Sequence, residues 1–543
     1  MSLIENHTED FLPAPLRALG PYLLLILAVF AVYGNVYDNE FVFDDDLLIK
    51  LNTYLSSWSH FGLIITGSTT SGVHIVGGFY RPVQILLYLV ITQLFGGTIF
   101  WFHLLNISLH AANTCFMYKI GRKLDFKPWG AFLASLIWAV HPLHTEAITY
   151  MSATADPLFA FFSLWAISLL LPDLSPRKIL LTFPLFLLGL CSKETMVMFP
   201  LLVMVCLFYV SPERLNVRTY FRTWPLWIVT GCYVYWRMHA KGFDGPQTYG
   251  RFYEQATFSS LRMYAEHPAY RIYTFFASLP AYLKLLVWPT GLHMERSFSI
   301  FTKPFYVPVI SGVVIFGLAV AQIIYSCRHQ MRGRELTWGL LWFGAAHAPD
   351  SGILIAMNSL FLEHWMYLPS VGLFLGLGEM LAKALEAQPK ILSQSCCALG
   401  FLIALGLSAK TYNQNYVWRD PETFYTNIFA YHEASARSHN NLALYYSARG
   451  QYADAVIQFK EAIKISDTYA ETEYNLALTY INMPNRNAHL DDIVDCLKRS
   501  IQIEPTFYRS YVLLANLYDT ILKDPEQAAF YHKKADELIS QRQ

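Results

Sequence analysis

Charge is scarce in this chain. Of its 543 residues, 15% are charged, against roughly 25% in soluble domains. Neither sign is in excess, because 40 basic residues balance 40 acidic ones. That balance gives no reason to expect a nucleic-acid partner. Cysteines at metal-ligand spacing are missing too. The eight cysteines form no CxxC spacing, so neither a zinc ribbon nor a disulfide framework is indicated. No small-x-small cleavage site follows the first apolar run, PYLLLILAVFAVY, and Glu5, Glu9 and Asp10 precede it beside Arg17. The run therefore reads as a retained membrane helix rather than a cleaved leader. The sequon Asn6-His7-Thr8 falls on the expected cytosolic side and is discounted. A P-loop, a GxGxxG and an HExxH are all absent, which removes support for ATP-driven transport and zincin chemistry.

What is abundant is apolar length. Hydrophobic residues make up 54% of the chain and aromatics 16%, and the mean hydropathy is +0.30. Spans are predicted near 20–37, 100–121, 129–147, 157–171, 178–191, 196–210, 223–239, 305–327, 336–349, 366–385 and 391–410, about eleven in all. The basic loops GRKLDFK (121–127), SPRK (175–178), SPERLNVRTYFR (211–222) and CRHQMRGR (327–334) fall on one side of such an arrangement. The positive-inside rule makes that side the cytosol. The opposite side receives residues 38–99, HPLHTEAI (141–148), CSKET (191–195), the loop 240–304 and the stretch from HAPDSG to EHWMY (347–367). RPVQILLYLVITQLFG (81–96) and YRIYTFFASLPAYLKLLVWP (270–289) would upset the alternation as spans. They are read as helices bedded in the outer membrane surface.

Beyond about residue 420 the chain turns polar and repeats itself. Leu442-Ala443 recurs as Leu476-Ala477 and Leu514-Ala515, and Tyr446 as Tyr480 and Tyr518. A period of about 34 residues with small residues at helix contacts is the tetratricopeptide signature. The longer second interval implies an insertion at MPNRNAH (483–489). The expected organisation is all-α: a polytopic membrane bundle over 1–415 with outer loops 38–99 and 240–304, then a tetratricopeptide α-solenoid over 416–543 on the non-cytosolic side.

The chemistry-bearing positions share that outer side. In FVFDDDLL (41–48) Asp44, Asp45 and Asp46 stand together among apolar residues. A carboxylate that must take a proton gains from a neighbouring carboxylate, which raises its pKa. His141, His144 and Glu146 resemble metal ligands, but Pro142 interrupts the helix that would align them. An interfacial hydrogen-bonding loop is the preferred reading. Asp156 is a helix cap or part of the site. Arg81, Lys193, Arg237 and Lys284 form a set of outer cations suited to a phosphate, with Glu363 and His364 as further outer polar groups. His103, Asn106 and His110 recur at helical spacing and read as contacts between helices. Such a site, open to lipid and water, suits a substrate with a polyprenyl tail and a phosphate head.

The blocks FVFDDDLLIKLN, GFYRPVQ (78–84), HLLNISLHAANTCFMYKIGRKL (103–124), HPLHTEAITYMSATADPL (141–158), CSKET, LKLLVWP (283–289) and EHWMYLPSVG (363–372) resemble, in order, the motifs of GT-C glycosyltransferases that carry tetratricopeptide repeats. The chain is most similar to the transmembrane O-mannosyltransferases that act on cadherins and to their bacterial relatives. The resemblance implies inverting transfer of a sugar, mannose or another hexose, from a dolichyl- or undecaprenyl-phosphate donor to a Ser/Thr hydroxyl of a protein. It maps the family's acidic pair onto Asp44 and Asp45, leaving Asp46 variable. Asp44 is then the base and Asp45 its partner. Arg81, and less specifically Lys193 and Lys284, become donor-phosphate ligands. Relatives often have an arginine where this chain has His364. A variant reading has Asp44, Asp45 and Asp46 bind Mg2+ or Mn2+. The expected setting is a multi-pass protein of a bacterial inner membrane with periplasmic repeats, or of the endoplasmic reticulum with lumenal ones, where the repeat groove holds the acceptor protein. The competing readings are a catalytically inactive membrane-anchored scaffold, a transferase modifying glycolipids or polysaccharides, and a transporter. Donor-dependent sugar transfer in detergent separates the protein-modifying enzyme from the scaffold and the transporter.

Overall fold

Apolar runs interrupted by proline and glycine make a protein of helices, with no strand among the described residues. The computed structural model describes residues 14–73, 77–173, 175–211, 216–240, 259–296, 298–329, 332–357, 359–431, 435–467 and 469–540. The Asn6 sequon, residues 212–215 of one basic loop and residues 241–258 of the loop 240–304 lie outside them. The chain divides into two compact units, Met1–Arg419 and Asp420–Gln543.

The first unit contains α1 (Ala14–Tyr33), α2 (Pro82–Phe95), α3 (Ile99–Lys123), α4 (Pro128–Ala139), α5 (Ala155–Leu170), α6 (Phe183–Leu190), α7 (Phe199–Val210), α8 (Trp224–His239), α9 (Pro268–Val287), α10 (Val307–Arg328), α11 (Arg334–His347), α12 (Tyr367–Glu386) and α13 (Lys390–Gln414). Helix occurs within each of the expected spans, but the count of eleven is corrected. Four helical stretches are long and apolar enough to cross a membrane by length and composition: Met151–Leu170, Val307–Arg328, Glu363–Glu386 and Lys390–Trp418. Proline explains much of the shortfall. It begins α4, α6, α7 and α8 afresh, leaving helices of 12, 8, 12 and 16 residues, where a span needs about 20. α3 has 25 residues, but it carries buried His103, Asn106, His110 and Asn113, which lower its hydropathy.

The core of this unit is aromatic. Trp138, Trp338, Trp342, Tyr367, Phe186 and Phe199 are among its fully buried side chains. A buried indole N–H needs an acceptor, and two of these tryptophans show theirs. Trp138 donates to Ser370 Oγ at 2.9 Å and Trp342 to the Leu368 carbonyl at 3.0 Å. α11 and α12 approach backbone to backbone. A methyl group on Gly376 would lie 2.5 Å from the Glu335 carbonyl oxygen, and one on Gly339 would lie 2.5 Å from that of Gly372. Small residues permit this closeness where lipid offers no hydrophobic drive for association.

The second unit contains α14 (Pro421–Tyr431), α15 (Ala436–Ala448), α16 (Tyr452–Ile465), α17 (Ala470–Asn482), α18 (Leu490–Ile503), α19 (Tyr508–Leu517) and α20 (Pro525–Ser540). α15 packs on α16, α17 on α18 and α19 on α20. The recurring Leu-Ala pairs are all buried: Leu442, Leu476 and Leu514 are 3%, 2% and 0% exposed, and their alanines 0%. The residues 483–489 add a 3-10 turn, Arg486–His489, between α17 and α18.

Candidate active site

The aspartate loop leaves α1 through a short turn in which Phe43 has φ 55°. A bulky residue in the left-handed region is strained and persists only where its surroundings hold it. The three aspartates then diverge. Asp45 is fully buried. Its Oδ1 accepts from the Ser152 amide at 2.7 Å and the Ser152 hydroxyl at 2.6 Å, and its Oδ2 from the Val42 amide at 3.1 Å. Burial pushes its carboxyl up to about 7 against these hydrogen bonds, and the Asp44 charge adds to the push. Asp44 is exposed, and its backbone N–H donates to the Tyr150 hydroxyl at 3.1 Å. Asp46 pairs with Lys50 at 3.3 Å on the surface. Three carboxylates sent to three places do not form an oxygen cage. Among the described residues no group of three or more His, Cys, Asp or Glu side chains is placed to hold a metal ion. The Mg2+ or Mn2+ reading therefore does not fit this loop.

Tyr150 and Ser152 are held from behind. Asn106 of α3 donates to the carbonyls of Ile148 and Tyr150 at 3.2 and 3.3 Å. From α2, Gln84 donates to the Ser152 carbonyl at 2.9 Å and Tyr88 to that of Met151 at 2.7 Å. The Tyr150 ring stacks on Trp418, with centroids 5.3 Å apart. The polar residues of α2 and α3 thus fix the break at Tyr150 between the short helix Thr145–Thr149 and the 3-10 turn Met151–Thr154, and that backbone fixes the acids.

The expected phosphate-binding cations are mostly occupied by carboxylates. Arg81 places Nε and Nη2 at 3.2 and 3.1 Å from one oxygen of Glu194. Lys193 and Asp156 form a buried pair at 2.6 Å, each side chain 6% exposed. Asp156 therefore acts as an ion-pair partner, and no side-chain cap occurs at the start of α5. His364 Nδ1 lies 2.7 Å from Glu146 Oε1, while Glu146 Oε2 accepts from the amides of Glu363 and His364. Glu363 in turn accepts from Arg296 at 2.5 Å and from the His293 amide at 3.0 Å. Asp350 links these pairs. Burial pushes its carboxyl up to about 6, opposed most by Lys193, with Asp156, His364 and Glu194 also acting on it. Tyr88 lies within electrostatic reach of both Asp45 and Arg81, which joins the acid loop to the cations.

Arg81, Lys193, His364, Asp156, Glu146 and Glu363 therefore belong to one neighbourhood. Arg237 reaches it indirectly, donating to the Gly78 carbonyl ahead of Arg81. Lys284 is exposed on α9 and forms no side-chain ion pair with the neighbourhood's carboxylates among the described residues. The histidines of HPLHTEAI serve separate ends. His141 contacts the Leu286 carbonyl at 3.1 Å and accepts from the Leu143 amide at 3.2 Å. His144 is fully buried, and neither ring nitrogen has a hydrogen-bond partner. Sequence reasoning did not single out Tyr150, Ser152, Glu194, Arg296 or Asp350. The first three lie inside motif blocks, beside residues that were chosen. Arg296 and Asp350 carried no signal of their own.

No family model matches the chain. It is 27% identical to the protein O-mannosyl-transferase F38B6.6 of Caenorhabditis elegans, over 84% of this chain and 64% of that protein. It is 23% identical to protein O-mannosyl-transferase Tmtc1 of Drosophila melanogaster, over 82% of this chain and 62% of that protein. With human protein O-mannosyl-transferase TMTC1 it shares 23% identity over 85% of this chain and 57% of that protein. The chain thus resembles proteins of this name over most of its own length, and spans less than two thirds of theirs.

Proposed function

We propose that this protein is a membrane glycosyltransferase of the GT-C kind, moving mannose or another hexose from a polyprenyl-phosphate donor to a Ser/Thr hydroxyl of an acceptor protein. The observation that most supports the reading is the division of labour in the acidic pair: Asp44 is exposed, beside a buried and fully hydrogen-bonded Asp45. In this mechanism Asp44 takes the proton of the acceptor hydroxyl as its oxygen attacks the anomeric carbon. The new C–O bond forms on the face opposite the phosphate, so the configuration inverts. The bond to the lipid phosphate breaks, and the phosphate leaves with the electron pair. Arg81, Lys193 and His364 stabilise that developing charge. The acids and cations face the non-cytosolic side, and the second unit is a tetratricopeptide scaffold that binds the acceptor polypeptide.

The test uses the full chain in detergent with dolichyl-phosphate mannose and a cadherin ectodomain made without O-mannose. The wild type transfers mannose with inversion. Asp44→Asn keeps its expression and melting temperature and loses at least about a hundredfold in turnover. Near-wild-type turnover by Asp44→Asn would rule out its role as base.

A further inference from the structure

Asp44 and Asp45 are adjacent, yet one is exposed and the other buried. Something must hold the chain between them in register. Phe43 enters the pair at φ 55°, a conformation that relaxes unless opposed. Two contacts from one short segment oppose it. The Tyr150 hydroxyl accepts the Asp44 amide at 3.1 Å. Two residues further on, the Ser152 amide and hydroxyl hold one oxygen of Asp45 at 2.7 and 2.6 Å. The backbone that carries both Ser152 donors is itself held, because the Gln84 and Tyr88 side chains donate to the carbonyls of Ser152 and Met151. The geometry points to Tyr150 and Ser152 as positioning residues that clamp the acidic pair at two points and so aim the Asp44 carboxylate at the acceptor hydroxyl. The inference rests on the transferase reading above, in which Asp44 is the base. Neither residue needs to touch donor or acceptor. Their contribution is orientation, and a carboxylate displaced by about 1 Å loses much of its catalytic advantage.

A role in aiming separates from a role in binding. Ser152→Ala removes the hydroxyl donor and keeps the amide. Tyr150→Phe removes the hydroxyl that accepts the Asp44 amide. Ser152→Thr restores a hydroxyl at the same place. Measured with dolichyl-phosphate mannose and the cadherin ectodomain, Ser152→Ala is expected to lower kcat about tenfold or more. KM for the donor stays within about twofold, and the melting temperature falls by only the few degrees that one lost buried hydrogen bond entails, with the protein still folded. Tyr150→Phe shows the same split, and Ser152→Thr recovers most of the turnover. Wild-type kcat in both Ser152→Ala and Tyr150→Phe overturns the clamp. So does a rise in KM that accounts for the lost efficiency, or a failure of threonine to restore turnover in a folded protein. If Ser152→Ala does not fold, Tyr150→Phe and Ser152→Thr decide. The two proposals fail differently. An active Asp44→Asn defeats the transferase mechanism, whereas an inactive Asp44→Asn beside a normal Ser152→Ala and Tyr150→Phe defeats only the clamp.

Discussion

Arg81 holds a carboxylate where the proposal requires it to hold a phosphate. Its Nε and Nη2 both lie within hydrogen-bond reach of one oxygen of Glu194, whose other oxygen, Oε1, is buried without a hydrogen-bond partner. A carboxylate left half-satisfied is a costly resident and a placeholder that a better anion can displace. Glu194→Gln removes the competing charge while keeping the shape. The donor KM is expected to fall several-fold with kcat little changed, as measured by initial rates across donor concentration. A rise in KM would mean that Glu194 orients Arg81 instead of competing for it. Asp350 offers a second check. Its folded pKa, about 6, lies above the usual aspartate value. Such a group favours folding while it is protonated and loses that contribution as pH rises through about 4 to 6. Asp350→Asn mimics the protonated form, so it should stabilise the protein at pH 8 by a few kcal/mol or less and leave it unchanged at pH 4. Thermal melting in detergent at the two pH values reads this directly. At this scale the sequence identified charged residues well and their partners poorly. FVFDDDLL announces three acids, but only folding reveals that Ser152, more than a hundred positions away, selects Asp45 for burial. Lys284 shows the converse limit: its place in a motif block does not tell that it stands exposed on α9.

Elements are set by where proline and glycine fall. The prolines that begin α4, α6, α7 and α8 are visible in the sequence, and so are the apolar runs they divide. A hydropathy window sums across such breaks, which is why about eleven spans are read where four stretches have the length and composition to cross. Helix existence was therefore legible and helix length was not. The glycines were less legible still. Nothing in the residues around Gly376 says that it faces the Glu335 carbonyl. Gly376→Ala is expected to force α11 and α12 apart at a cost of about 1–3 kcal/mol. It should lower the melting temperature while leaving the donor KM of the surviving protein unchanged. A methyl group on Gly344, which lies on the facing helix α11, would meet nothing within 4 Å, so Gly344→Ala serves as the control.

For the molecule as a whole, the repeat period and the change of composition near residue 420 suggest a separate helical region, and the described chain divides into compact units at Arg419 and Asp420. Repeats are legible because each one restates the same packing problem. The charged neighbourhood of the first unit is assembled once, from segments as distant as Arg81 and His364, and has no such redundancy. Lys193 and Asp156 show what this implies for descent. Each is 6% exposed and each answers the other. Loss of either strands a charge in the interior, at a cost of about 3–5 kcal/mol. Drift at one position alone is therefore closed. A lineage can leave this pair only by changing both residues together, whereas α10, with 11% of its apolar window buried, is free to exchange one apolar residue for another in single steps.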